Sequence, residues 1–255
     1  MNTNIKTIED LSLNAWPSHQ IQIYDGWLLR FSYFYTHRTN SVEQIGPSMI
    51  PLDEKIAFVE DTYRRWGSPA IFKITPLLAP GFDSYLEDRG YITEHITDNM
   101  VLTLPSSDQL PSMPVRSDLT FHITNLISQN WIDGLFSLKQ TTNIMHRQVV
   151  PSMYKAIPKQ TIALSVLDNG KIIGTGLGIL DRDYIGIYAI HVHQNYRRRG
   201  LARDIVSSIL YKGREYGASE AYLQVVRGNT AAVRLYESLG FRYLYTDSFR
   251  IKYLL

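Results

Sequence analysis

The stretch best equipped for chemistry is Ile190-His191-Val192-His193-Gln194-Asn195-Tyr196-Arg197-Arg198-Arg199-Gly200-Leu201-Ala202-Arg203. A strand ends at the histidines, a basic turn follows, and a helix opens at Gly200 and Ala202. The first N–H groups of a helix have no carbonyl partner within it and point outward at the positive end of its dipole. Such an end is a ready seat for a phosphate or pyrophosphate. Gly200 and Ala202 allow a ligand close to the backbone, and the arginines add charge. No Gly-Lys-Ser/Thr follows, so the turn is not the nucleotide P-loop.

A second motif lies downstream: Asn229-Thr230-Ala231-Ala232-Val233-Arg234-Leu235-Tyr236-Glu237-Ser238-Leu239-Gly240-Phe241. Asn229 fits a helix cap, and Gly240 fits the left-handed position after a helix end. Arg197-Arg198-Arg199-Gly200-Leu201-Ala202 resembles the Arg/Gln-x-x-Gly-x-Gly/Ala pyrophosphate loop of the GNAT superfamily of acyl-CoA-dependent N-acyltransferases. The second motif is similar to that superfamily's Asn-x-x-Ala-x-x-Leu-Tyr-x-x-x-Gly-Phe. The resemblance covers about 115–255 and rests on two motifs in the same order.

The resemblance implies roles. The backbone of Ile190, His191 and Val192 holds the thioester and pantetheine arm. Arg197, Arg198, Arg199, Gly200, Leu201, Ala202 and Arg203 hold the pyrophosphate. Asn229 meets the cofactor arm, and Tyr236 protonates the departing thiolate. A tyrosine of pKa about 10 can donate to a sulfur whose conjugate acid lies near 8.5 only if its position offsets the mismatch. Without that motif, core packing is the ordinary role of one tyrosine among 17.

The general base is less defined. An amine nucleophile must lose a proton, and the strand before the basic turn carries no acid after Asp183. Tyr188, His191 and a water chain all remain open. His191 and His193 share a strand face, but a metal would need a third ligand that no spacing supplies, so no metal is expected. Gly174-x-Gly176-x-Gly178 lies inside an expected strand with no helix after it, which fits a flexible or bulged strand rather than a dinucleotide loop. The triple arginine is not extended by any basic stripe in the first half, which argues against nucleic acid.

Hydrophobic periodicity supplies the supports. Strands are expected over 119–124, 161–167, 171–180, 184–193, 221–226, 241–245 and 249–254. Helices are expected over 131–139, 145–157, 201–216 and 230–239, with Pro151 and Pro158 limiting the second. Ala202, Ile205, Val206, Ile209 and Leu210 make one apolar helix face. This order predicts an α/β fold, a mixed central sheet flanked by helices. The proline- and serine-rich run at 105–117 reads as a linker between 1–104 and 118–255.

The two halves look like diverged copies. Ser84-Tyr85-Leu86-Glu87-Asp88-Arg89-Gly90-Tyr91 matches 234–241 at an offset of 150 (84 to 234), and Trp66-Gly67 matches Tyr216-Gly217 at the same offset. Asp25-Gly26 and Asn169-Gly170 each mark a hairpin. At that offset 197–202 corresponds to Pro47-Ser48-Met49-Ile50-Pro51-Leu52, Asn229 to Ala79 and Tyr236 to Leu86. The first half is therefore expected to be a degenerate GNAT-like copy, and 118–255 the catalytic one. Acceptor contributions are expected from 139–147 and from the first half.

Composition bounds the rest. The 255 residues are 44% hydrophobic and 20% charged, with a net charge of +2, which is ordinary globular usage. There is no cysteine, which excludes disulfide scaffolds, thiol nucleophiles and thiolate metal sites and fits the cytoplasm. No secretory signal or membrane-spanning run is visible. The expectation is acetyl transfer from acetyl-CoA to a primary amine of a small molecule or peptide, by direct attack in a ternary complex. The rivals are a CoA-binding regulatory or sensor protein without turnover, and a tRNA-dependent aminoacyl transferase.

Overall fold

The computed structural model describes residues 2–105, 113 and 116–254, so most of the expected linker (106–112, 114 and 115) lies outside the described residues. The first half supplies α1 (Asn2–Ala15), β1 (Gln20–Tyr24), β2 (Trp27–Phe31), β3 (Val42–Gln44), α2 (Leu52–Arg65), β4 (Ala70–Ile74), α3 (Phe82–Glu87) and β5 (Ile92–Thr103). The second supplies β6 (Thr120–Thr124), α4 (Gln129–Lys139), α5 (Ile144–Lys155), β7 (Gln160–Asp168), β8 (Lys171–Asp181), β9 (Tyr184–Val192), α6 (Leu201–Glu215), β10 (Glu220–Val226), α7 (Thr230–Ser238) and β11 (Arg242–Lys252). The run α2-β4-α3-β5 recurs in order as α6-β10-α7-β11, as the repeated sequence motifs anticipate.

The described strands form one mixed sheet in the order β1-β2-β3-β4-β11-β5-β10-β9-β8-β7-β6. The halves interlock at its centre. β5 pairs antiparallel with β10 of the second half, and β11 pairs antiparallel with β4 of the first. The two exchanged strands pair with each other between them. At this seam buried Asn99 donates to Asp247 at 2.6 Å and accepts from Gln224 at 3.1 Å, tying three strands by side chains. α1 also crosses over: its Ile8 and Leu11, with Trp16 just after it, pack with Trp131, Phe136 and Tyr154 of the second half. The opposite face of the second half is covered by α6 through Ile205, Val206 and Ile209.

Two expectations need correcting in detail. The strands expected over 241–245 and 249–254 are one strand, β11, with register shifts near Tyr243/Tyr245 and Asp247/Phe249. Such bulges interrupt the alternation without ending the ladder. Pro151 lies inside α5 rather than limiting it. Proline removes one helix hydrogen bond, but burial of Val150, Met153 and Tyr154 holds the following turn in place. The glycine row lies inside β8, as expected, and the strand has a register shift against β7 beside Gly174, between Val166/Gly174 and Leu167/Ile172. A Cβ on Gly176 would lie 2.4 Å from Ile205, and one on Gly178 would lie 2.6 Å from Ile209. The bare stripe lets α6 lie directly on β8. No helix among the described residues is long and apolar enough to cross a membrane.

Candidate active site

The site opens where β9 and β10 part. They pair in parallel from Tyr184/Glu220 to Ile187/Leu223, and there the ladder stops. Just beyond, β9 bulges: its register against β8 slips between Thr175/His191 and Leu177/Tyr188. Ala189 takes a left-handed φ of +51°. The bulge turns β9 away from β10, and the edge over Ile190, His191 and Val192 faces a cleft instead of a strand.

The cleft has a volume of about 550 Å³. Its floor is the start of α6. Gly200 caps this helix with φ +80°, and no side chain caps the first turn. The first N–H groups of Leu201, Ala202 and Arg203 have no acceptor among the described residues. A non-glycine residue at Gly200 would be strained in this left-handed conformation. Arg116 Nη2 lies 3.3 Å from where a Cβ would sit, so the end of that side chain would also have to shift by a few tenths of an ångström. The result is a row of outward-facing donors at a dipole's positive end, with Arg197, Arg198 and Arg203 on its walls. An oxyanion of the phosphate type fits this chemistry.

The expected cofactor residues gather here almost completely. Ile190, His191, Val192, Arg197, Arg198, Gly200, Leu201, Ala202, Arg203 and Asn229 all line the cleft, and so does Tyr236. Arg199 does not line it; its carbonyl accepts from Arg116 and its guanidinium lies 5.6 Å from the Tyr196 ring. Arg116 is a supporting residue that sequence reasoning missed. It pairs with Asp204 through Nη2 at 2.5 Å and braces the turn from outside. Arg203 donates to Ser238 Oγ at 2.7 Å and so bridges α6 to α7 across the cleft. Asn229 caps α7, its Oδ1 accepting from Ala232 N at 3.2 Å. That leaves its amide nitrogen for a ligand. Tyr236 is 9% exposed. Its hydroxyl has no partner among the described residues, and burial pushes its pKa above the ordinary phenol value.

A second cavity, about 120 Å³, lies beside the cleft and is lined by both halves: Trp16, Tyr35 and Arg38 from the first, Lys139 and Tyr188 from the second. It continues into a groove of about 440 Å³ that shares Tyr35, Arg38 and Lys139. His191 lines both this cleft and the small cavity. Its buried Nδ1 has no hydrogen-bond partner among the described residues. Burial, then the Lys139 charge, lowers its pKa below that of an ordinary imidazole. Tyr188 is placed differently. It is hydrogen-bonded to Tyr222 at 2.7 Å, and burial pushes its pKa up to about 12. His193 lies past the end of β9 and caps a 3-10 turn, so the two histidines do not act as a pair.

The corresponding turn of the first half is already filled. The Asp25 carboxylate accepts from Met49 N at 3.0 Å and Ile50 N at 2.9 Å, just before α2. Lys55 pairs with it at 3.2 Å. The N–H bonds from Ile50 and Met49 hold the Asp25 pKa below the usual carboxylate range. The tip of the β1–β2 hairpin lies over this turn, with Ile45 N and Gly46 N donating to Gly26 O. The chain's own carboxylate thus occupies the place where a ligand anion would sit.

Residues 135–241 match the Acetyltransferase (GNAT) family. The whole chain is similar to the uncharacterized N-acetyltransferase YobR of Bacillus subtilis (strain 168), 25% identical over 98% of this chain and 99% of that one. Among solved structures, a GCN5-related N-acetyltransferase from Kribbella flavida superposes with a TM-score of 0.70 at 13% identity, covering 98% of this chain and 94% of that one. A tandem GNAT protein from the clavulanic acid biosynthesis pathway superposes with a TM-score of 0.67 at 12% identity, covering 83% and 74%. At these identities the structural likenesses speak for the fold.

Proposed function

We propose that this N-acetyltransferase, which carries the GNAT family match over residues 135–241, takes acetyl-CoA as donor and passes the acetyl group to a primary amine by direct attack in a ternary complex. One observation carries the reading. The free N–H groups at the start of α6 and the unpaired edge of β9 open into one cleft, and Tyr236 lines it as well. The pyrophosphate sits on the donors of residues 200–203, and Arg197 and Arg198 meet its charge. The pantetheine arm runs along Ile190 to Val192 as an added strand edge, with Asn229 across from it. In this reading 118–255 is the working copy and 1–104 the degenerate one.

The amine approaches from the cavity shared by both halves. His191 touches both spaces and takes its proton; its lowered pKa keeps the imidazole neutral, and so able to accept, near pH 7. Attack of the amine nitrogen on the thioester carbon breaks the C–S bond, and Tyr236 gives its proton to the thiolate. Tyr188 is a poor base because it is already hydrogen-bonded and its pKa is raised. The groove favours a small molecule or the end of a peptide over a folded surface. Calorimetric titration with CoA, followed by acetyl-CoA turnover against a panel of amines, tests the reading. One CoA per chain is expected, because Asp25 fills the other turn. No CoA binding would remove the proposal at its root, and binding without turnover of any amine would favour a sensor.

A further inference from the structure

Adjacent residues on a strand normally point to opposite faces. Glu94 and His95 of β5 do not follow this rule. β5 slips by one residue against β11 between Thr97/Asp247 and Glu94/Phe249, and His95 within the bulge has φ +50°. A left-handed backbone at a histidine is unfavourable, and such strain collects at functional positions. Here the bulge sets the Glu94 carboxylate between two imidazoles. Glu94 Oε2 lies 3.7 Å from His37 Nε2 and 3.8 Å from His95 Nε2. One donor atom from each of the three residues falls within 4.8 Å of the others.

Three further features favour a ligand. His37 Nε2 is buried and has no hydrogen-bond partner among the described residues. Glu94 Oε1 accepts from Tyr253 Oη at 3.3 Å, which orients the carboxylate from behind; ligating carboxylates are commonly held in this way. The His37 ring is packed by Phe34 and Phe249, each at 5.5 Å. At metal–ligand bonds of about 2.0–2.2 Å, donors of a tetrahedral ion stand roughly 3.3–3.5 Å apart. The two separations from Glu94 need only a few tenths of an ångström of closure, and the two histidine donors stand within 4.8 Å of each other.

We propose that His37, Glu94 and His95 bind a divalent transition ion of the zinc class. Two imidazoles and one carboxylate suit zinc, cobalt or nickel better than magnesium or calcium, which prefer oxygen donors. Three protein ligands leave a coordination position open. His37 and His95 line the groove of about 440 Å³, so that position offers a bond to an oxygen or nitrogen of whatever lies there. The site does not depend on acetyl transfer.

The test uses the untagged full chain, stripped with chelator and titrated with Zn²⁺ by calorimetry and with Co²⁺ by visible absorption. One equivalent of each is expected. His37→Ala and Glu94→Gln should each lower affinity at least tenfold. So should His95→Asn, which keeps a residue tolerant of the left-handed backbone. Tyr253→Phe should weaken binding about tenfold, as loss of an outer-shell partner does. Circular dichroism in chelator checks that each variant is folded. Absence of stoichiometric binding to the wild type overturns the proposal. So does binding that survives both His37→Ala and Glu94→Gln in folded chains, since the ion would then sit elsewhere.

Discussion

Tyr236 and His191 both line the cleft, and burial moves their pKa values in opposite directions, up for the phenol and down for the imidazole. For Tyr236 the raised pKa keeps the proton on the phenol, so the alkaline limb of kcat should lie above the ordinary tyrosine value of about 10. Tyr236→Phe removes the donor and keeps the ring. General acid catalysis contributes about 10²–10⁴ in rate, so kcat should fall by that range while CoA affinity, measured by calorimetry, barely changes. Normal turnover at saturating acetyl-CoA would reduce Tyr236 to core packing. In the proposed mechanism His191 accepts a proton only when neutral, so activity should rise as pH passes its pKa. Burial lowers that pKa, placing the acid limb below the ordinary value of about 6.5. His191→Gln should abolish this limb along with most of kcat. An unchanged pH–rate profile would return the role to water. The motif residues were legible because they are neighbours in the chain. For the proposed acceptor side, 139–147 and the first half were expected as a whole, but Tyr35 and Arg38 were not singled out, because they meet Lys139 only through the fold and carry no common spacing with it.

At the scale of elements, the position of α6 depends on β8. The helix presents its first-turn donors to the cleft only because Gly174, Gly176 and Gly178 let Ile205 and Ile209 rest on the strand. Gly176→Ala places a methyl 2.4 Å from Ile205 Cγ2, on a stiff β-branched side chain. Overpacking of this kind costs about 1–3 kcal/mol. Thermal melting should show that loss, and CoA affinity should weaken because the helix end moves. A variant with wild-type melting and affinity would show that the seat has slack. In 118–255 the helices and strands were readable from periodicity, and apart from β11 their bounds moved by only a residue or two; no bounds were read for the first half. What escaped were the irregularities. Neither the left-handed Ala189 nor the bulges of β5 and β11 have a glycine to announce them, and all are set by pairing with distant strands.

Across the whole molecule, the repeat was visible in the sequence but the exchange of strands was not. β5 and β11 show the same local pattern whichever neighbours they pair with. Because each half completes the other's sheet and α1 packs on the second half, unfolding should be one cooperative event. Scanning calorimetry should give a single transition, and CoA should raise all of it, since a ligand selective for the folded state stabilises by mass action. Two transitions, only one of them moved by CoA, would contradict this coupling. The exchange also has a consequence for biosynthesis. The first half finishes emerging with β5, yet the strand that lies between β4 and β5 is β11, which ends some 149 residues later (103 to 252). At about 5–20 residues per second the ribosome takes roughly 7–30 s to deliver it. Throughout that interval the nascent chain carries at least two unpaired strand edges, one on β4 and one on β5, so chaperones should be needed until the last strand is made.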